Sequence, residues 1–274
     1  MNPDQLDCKS QLLEFIKNKS DKLFVLTGCA GTGKTYLITK LLQEPLFNKK
    51  KIVFTATTNK AVSVLKNMSS EKSNYTDFIT IHKLLRIKRI IDSHGIEKFI
   101  INIDEPPSHI LQKSIFYYDI IIIDEASMIN EKLYHELVRI SKIIKGKIIF
   151  LGDNLQLPPV NEDISKVFNN VDFRLNQVMR NSSNILTLCN RIRDGIKAST
   201  LQIKFKNLVG ETLSIFKNRD DWIKLYCDQY NEKKNPIVLA YTNKCCEQTN
   251  IKIRNRLFNT NEKYIENELI VFNN

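Results

Sequence analysis

The stretch Gly28-Cys-Ala-Gly-Thr-Gly-Lys34-Thr35 constrains this chain more than any other. It places three of the chain's eight glycines within six residues and follows them with Lys-Thr. An apolar run, "KLFVLTG", leads into it, and "KTYLITKLLQ", with helical spacing, leads out. Every fixed position of G-x-x-x-x-G-K-[ST] is met, in the strand–loop–helix setting that the pattern requires. The physical reason for the pattern is a phosphate cradle. Glycines let successive backbone N–H groups turn inward with no Cβ in the way, and the helix N-terminus adds partial positive charge. Lys34 then reaches the β- and γ-phosphates, and the Thr35 hydroxyl ligates Mg²⁺. Gly28, Gly31, Thr32, Gly33, Lys34 and Thr35 are therefore the expected nucleotide-binding residues, for a nucleoside triphosphate.

The flanking sequence alternates strand and helix signals. "KIVFTAT" reads as a second strand and "NKAVSVLKNM" as a helix. "YDIIIIDEA" is apolar throughout, as expected of a strand in a parallel sheet covered on both faces. "NEKLYHELVRI" is amphipathic, with Ile129, Leu133, Leu137 and Ile140 on one stripe. "GKIIFLGD" is a further buried strand. The rhythm predicts a doubly wound α/β fold, and with the phosphate loop a P-loop NTPase. Arg86 to Ile103, two apolar-basic runs joined by "DSHG", predicts an inserted β-hairpin, in an insertion of about residues 86–115. After Arg180 the pattern restarts. "NSSNILTLCNRIRDGI" reads as a helix, "NPIVLAYT" as a buried strand, and "NKCCEQTNIKIRNRLF" as the helix after it. "ENELIVFNN" closes the chain as another strand. The expected division is a first α/β domain over residues 1–180 and the start of a second over 181–274.

Asp124 and Glu125 close the apolar strand, at the carboxyl end where ligands sit in such sheets. Asp124 can hold Mg²⁺ through water, and Glu125 can act as general base toward an attacking water. A "DE" pair alone would equally cap the next helix; the phosphate loop upstream favours the catalytic reading. Gln156, in "GDNLQLPPV", is placed to contact a γ-phosphate, although spacing alone allows a Pro-rich surface loop.

Charge brings in the partner. The 41 Lys and Arg against 30 Asp and Glu give +11. Such an excess suits a polyanion, because neutralising phosphates releases counterions. A lysine-rich genome composition would give the same number. The six cysteines form no C-x-x-C pair, which points to reduced thiols. No apolar run approaches the length of a membrane span, and the N-terminus has no signal-peptide pattern. A soluble chain of the cytoplasm or nucleus is expected.

Read in order, "GCAGTGKT", "TATTNKA", "TIHKLL", "IIIDEASM" and "GDNLQLPPV" resemble the motif set of superfamily 1 DNA helicases, and within them the RecD/Dda-like (1B) group. "LNQVMRNSSNIL" resembles the next motif of that group, which makes Arg180 the implied arginine finger. "NPDQ" resembles the segment whose glutamine reads adenine, here Gln5. The resemblance implies that Thr57, Thr58, Asn59, Thr80 and His82 bind a single-strand backbone, whose phosphates hydroxyl and amide groups can contact without reading bases. His82 by itself would equally be a structural histidine. It also implies that the hairpin is a strand-separating pin with Phe99 stacking on bases, although a plain packing arm fits the same sequence. The implied activity is ATP-driven 5′-to-3′ movement on single-stranded DNA, with unwinding at single-strand/duplex junctions. The family's second motor domain continues with an H-x-x-Q-G segment, and no Gln-Gly pair occurs in the 274 residues. The expectation is therefore of an N-terminal portion of such a motor, with a separate chain as one source of the remainder. A remnant that holds ATP or DNA without turnover is the alternative. A small-molecule kinase would leave Gln156 and the Thr57-Thr58-Asn59 segment without a use.

Overall fold

A computed structural model of the chain describes residues 1–68, 76–91, 97–101, 114–179, 184–198, 213–259, 262 and 265. Contacts divide the chain into two units, Met1–Ser182 with Ile196–Ser199, and Ser183–Gly195 with Thr200–Asn274.

The first unit is an α/β layer structure. Its strands are β1 (Leu23–Gly28), β2 (Ile52–Ala56), β3 (Thr76–Thr80), β6 (Ile120–Ile123), β7 (Lys147–Gly152) and β8 (Phe173–Leu175). They form one sheet in the order β3-β2-β6-β7-β1-β8, parallel throughout. Its helices are α1 (Pro3–Lys17), α2 (Lys34–Leu41), α3 (Asn59–Met68), α4 (Ile81–Leu84) and α5 (Glu131–Ser141). The inserted hairpin is present as an antiparallel pair, β4 (Ile87–Ile91) and β5 (Glu97–Ile101), with Ile87 opposite Ile101. Its turn, Asp92–Gly95, and the loop Asp104–His109 lie outside the described residues.

The period-2 alternation of the strands decides which layer each side chain enters. On one face Leu26, Phe54, Ile120, Ile122, Ile149 and Leu151 pack with Leu12, Leu37, Ile38 and Leu65 from α1, α2 and α3. On the other face Val25, Val53, Ile121, Ile123, Ile148 and Phe150 pack with Leu84, Leu137 and Ile140 from α4 and α5. The α5 stripe read from sequence is the buried one: Ile129, Leu137 and Ile140 are fully buried, with Leu133 against the same cluster. Each of these aliphatic side chains contributes roughly 1.5–3 kcal/mol by leaving water. A sheet covered on both faces leaves only its strand ends free to meet ligands.

Two strands carry no clear signal in the sequence, β3 and β8, both at sheet edges. α1 opens with a capping box: the Gln5 N–H donates to Asn2 Oδ1, and Gln5 Oε1 accepts from the Asn2 N–H.

The second unit contains α6 (Asn184–Lys197), most of which belongs to it, α7 (Arg219–Asn231) and α8 (Asn243–Phe258). Ile223, Cys227 and Ile253 form its small buried cluster. One expectation is corrected here. "NPIVLAYT" has the pattern of a buried strand, but no ladder holds Asn235–Thr242 among the described residues. Ile237, Leu239 and Tyr241 are 75%, 91% and 98% exposed, while Val238 between them packs against the cluster. An apolar run becomes a buried strand only when neighbours supply ladder bonds and a second layer, and neither is described here. The expected strand "ELIVFNN" lies outside the described residues, as does Arg180. Among the described residues, no helix is long and apolar enough to cross a membrane.

Candidate nucleotide and nucleic-acid site

All strands of the sheet run the same way, so their carboxyl ends share one edge. The loop after β1 begins at Gly28 and ends where Lys34 opens α2. Gly31 and Gly33 have φ of 84° and 83°, a region that L side chains rarely adopt. At Gly33 a Cβ would also stand 2.5 Å from Gln5 Nε2. Thr32 is fully buried and ties the loop to itself, its hydroxyl donating to the Cys29 carbonyl at 2.8 Å.

Lys34 folds back over this loop. Its Nζ donates to the carbonyls of Gly28 at 2.6 Å and Cys29 at 3.2 Å. Burial lowers its pKa, opposed by the carboxylates of Asp153, Asp124 and Glu125. Those three acids come from the ends of β6 and β7, so sheet order brings them to one lysine.

Asp124 and Glu125 follow β6 directly. The Asp124 N–H donates to the Thr55 carbonyl at 2.8 Å, which fixes the strand end against β2. Asp124 Oδ1 accepts from the Glu125 N–H at 2.8 Å, and the nearby Thr35 hydroxyl favours the ionised form of the same carboxylate. Burial raises the pKa of Asp124 against those bonds. Burial also raises that of Glu125, with the Asp124 charge adding to it. Glu125 sits at φ 53°, in the left-handed region. A glutamate there is under backbone strain of about 1–3 kcal/mol, as found at functional positions.

Thr35 and Asp124 fit the Mg²⁺ that the phosphate loop implies. Both offer hard oxygens, and the Thr35 hydroxyl lies close enough to the Asp124 carboxylate to lower its pKa. Mg²⁺ takes few protein ligands and fills its shell with waters and nucleotide phosphates. Among the described residues, no cluster of three His, Cys, Asp or Glu has metal-site geometry.

Gln156 is exposed just past β7, its Nε2 3.5 Å from Asp153 Oδ2. Asp153, 1% exposed, also accepts from the Leu155 N–H at 3.1 Å and so shapes the Gln156 loop. Sequence reasoning does not single it out. Its signal is position: an acid at the end of the strand between the Asp124 strand and the phosphate-loop strand.

Gln5 is 1% exposed, and both ends of its amide are engaged within the protein. Its Oε1 takes the Asn2 N–H at 3.2 Å, and its Nε2 donates to the Thr32 carbonyl at 3.0 Å. The structure thus gives Gln5 a direct grip on the phosphate loop. Its neighbour Asp4 has no signal in the sequence. Asp4 Oδ2 accepts from the Asn176 and Gln177 N–H groups at 2.7 and 3.4 Å. The Met179 N–H in turn donates to the Gly31 carbonyl at 2.9 Å. One turn of α1 therefore braces both the phosphate loop and the segment that leads to Arg180.

The residues expected at nucleic acid lie next along the same edge. Thr57, Thr58 and Asn59 follow β2, and Thr80 and His82 lie at the end of β3, which pairs with β2 so that Ala56 faces Thr80. Thr57 is half-exposed, whereas Thr58, Asn59 and His82 are exposed. Thr58 caps α3 through the Ala61 N–H at 3.2 Å, and Thr80 caps α4 through the Lys83 N–H. Phe99 is backbone-paired with Arg89 in the middle of the hairpin ladder rather than at its turn.

Known proteins share this arrangement of sequence. The family described as "AAA domain" matches residues 13–162, more than half of the chain. An uncharacterised protein of Acanthamoeba polyphaga mimivirus, R530, is 32% identical over all of this chain and 60% of its own length. The ATP-dependent DNA helicase dda of Enterobacteria phage T4 is 29% identical over 95% of this chain and 58% of its own. The RecBCD enzyme subunit RecD of a Buchnera aphidicola strain is 32% identical over 55% of this chain and 25% of its own. The chain belongs to the superfamily 1 RecD/Dda-like helicase family of P-loop ATPases. It spans about three fifths of the length of the first two of these relatives. The phosphate loop, the Asp124–Glu125 pair and the Gln156 loop all lie in the first unit, at the carboxyl ends of the parallel strands.

Proposed function

We propose that this chain is the nucleotide-binding part of an ATP-dependent DNA helicase, which moves 5′ to 3′ on single-stranded DNA and opens duplex at junctions. The observation that supports this reading is the order of the sheet edge. Glu125, at the end of β6, borders β2, whose end carries Thr57, Thr58 and Asn59. A change of position at the general base is therefore one strand away from the residues offered to a DNA backbone.

In this mechanism the backbone N–H groups of Gly31 to Thr35 cradle the β-phosphate, and Lys34 leaves the Gly28 and Cys29 carbonyls to bind the γ-phosphate. Thr35 and Asp124 would hold Mg²⁺, which neutralises charge between the β- and γ-phosphates when bound. Glu125 takes the proton of the attacking water, and its raised pKa brings it closer to the working range of a base. Gln156 reports the state of the γ-phosphate. Arg180, which follows Met179, stabilises the charge of the transferring phosphoryl group. Gln5 braces the phosphate loop through Thr32, and its adenine contact requires release of the bonds that hold its amide to Asn2 and Thr32. The remaining part of a second motor domain, in the same polypeptide or a second chain, closes the cleft.

The test is ATP hydrolysis with and without single-stranded DNA, by this chain and by this chain with the remaining part of the motor. Turnover should rise with single-stranded DNA and fall by orders of magnitude in Lys34→Ala. Duplexes tailed at the 5′ or 3′ end then read the direction. ATP binding with no hydrolysis in the completed motor would instead establish a binding module.

A further inference from the structure

The opposite edge of the sheet carries a second concentration of charge, at the amino ends of β1, β6 and β7. A cleft there is lined by Lys17, Lys19, Lys22, Lys50, Lys145 and Lys147, with Asp119 as its single acid. Two of these lysines are built into the fold. Lys147 is 9% exposed, and its Nζ donates to the carbonyls of Phe15, Asn18 and Asp21. Lys22 Nζ donates to the carbonyls of Ile144 and Lys145, each at 3.2 Å. Both bond carbonyl oxygens rather than a carboxylate, and of the two Lys147 also feels the charge of Asp21. Lys17, Lys19, Lys50 and Lys145 form no ion pair among the described residues. Asp119 is itself engaged, accepting from the Lys51 N–H at 2.8 Å. The crowding is felt within the cleft: burial lowers the pKa of Lys147, and the charges of Lys22 and Lys50 add to this against the opposing charge of Asp21.

This field lies a strand's length from the nucleotide. β1 runs six residues from Leu23 to Gly28, about 17 Å at strand rise. The cleft is thus separate from the phosphate loop and from the strand ends at Thr57 and Thr80. Its chemistry selects among anions. Every cation is a lysine, a point charge on a flexible stem, which suits phosphates met in no fixed register; planar bidentate pairing with carboxylates is the preference of arginine. No aromatic side chain lines it. Single-strand sites combine basic grooves with aromatic stacking platforms, whereas duplex is held through its phosphates alone.

We propose that this lysine cleft is a second nucleic-acid site, binding the phosphodiester backbone of duplex DNA independently of ATP. This rests on DNA being the partner in the function proposed above, and adds to it a contact remote from the motor's single-strand path.

The test is the salt dependence of binding to a blunt-ended duplex and to a single strand of the same length, by fluorescence anisotropy. The variant Lys17→Ala/Lys19→Ala/Lys145→Ala removes only exposed side chains that no fold contact uses. The slope of log K against log salt for duplex should shrink by about 2–3, from roughly 0.9 per lost phosphate contact. Affinity for a fluorescent ATP analogue should stay unchanged, which also shows that the variant is folded. Lys34→Ala should do the reverse, losing nucleotide while keeping the duplex slope. An unchanged duplex slope in the triple variant overturns the proposal, as does a loss confined to the single strand. Displacement of a bound acidic polypeptide with no change in duplex slope would assign the cleft to a protein partner and overturn it as well. Failure of the unmodified chain to bind any DNA overturns the helicase reading itself, so the two failures are distinct.

Discussion

Ile120 to Ile123 in the first unit are each no more than 1% exposed, whereas Ile237, Leu239 and Tyr241 in the second are 75%, 91% and 98% exposed. The two runs look alike in sequence: short, apolar, and followed by a polar residue that precedes a helix. What separates them is company. β6 has β2 on one side and β7 on the other, and a helical layer on each face. The run Pro236–Tyr241 has α7 and α8 under one face only, through Val238, Trp222 and Tyr226. Apolar character shows that a segment is suited to a sheet. It does not show that the sheet is there. The first unit accordingly holds a finished nucleotide edge, and the second has an apolar run with no described partner.

The largest effect expected from this contrast is at Ile122. It is fully buried within the cluster that joins the sheet to α1, α2 and α3. Ile122→Ala should destabilise the first unit by about 2–5 kcal/mol, through lost transfer energy and the cavity left behind. Urea unfolding followed by far-UV circular dichroism reads it as a lower midpoint at unchanged slope. A shift no larger than that of a surface substitution would mean that β6 is not the centre of the sheet.

The same contrast explains which parts of the molecule are legible in its sequence. β1, β2, β6 and β7 are central strands with both faces buried, so they read as continuous apolar runs. β3, at one edge, is Thr-Asp-Phe-Ile-Thr and mostly half-exposed. β8, at the other edge, has three residues. Edge strands bury less and carry polar side chains, which erases the signal used to find them. The phosphate loop and the Asp124–Glu125 pair are legible because their function depends on local spacing. The Asp4 brace is not, since its partners lie 172 and 173 residues away. The Asn2-x-x-Gln5 spacing foretells the capping-box bond to Asn2, but no pattern foretells that Gln5 also bonds Thr32, 27 residues away. Asp153 lies between these cases. Its motif is visible, but its burial beside Lys34 follows from the order of β6, β7 and β1.

A smaller effect, of opposite sign, is expected at Glu125. Burial raises the pKa of both Asp124 and Glu125 in the folded chain above their ordinary values. Between the unfolded and folded values the folded state binds more protons than the unfolded one. Stability therefore falls as pH rises through that window, and the cost persists at neutral pH. Glu125→Gln removes one of the two charges and keeps a side chain of similar size. The backbone strain at φ 53° is also retained, so it does not confound the comparison. The variant should lose hydrolysis yet melt at a higher temperature than the unmodified chain at pH 7, in the absence of nucleotide and divalent metal. The gain should fade as the pH is lowered below the ordinary carboxylate range. A lower melting temperature at pH 7 would mean that Glu125 contributes a stabilising contact and that the site stores no charge strain.

The smallest effect is expected at Leu239, and its smallness is informative. The side chain is 91% exposed in a segment with no ladder among the described residues. Leu239→Ser should change the unfolding free energy by less than about 0.5 kcal/mol, as for surface substitutions generally. The same substitution in a longer polypeptide carrying the remaining part of the motor should behave differently if that part covers the segment. A leucine newly enclosed there would contribute roughly 1.5–3 kcal/mol, and a serine in its place would forfeit most of it. Equal and negligible effects in both settings would show that Pro236–Tyr241 stays uncovered in the complete motor. A loss confined to the longer protein would show that the segment is covered there.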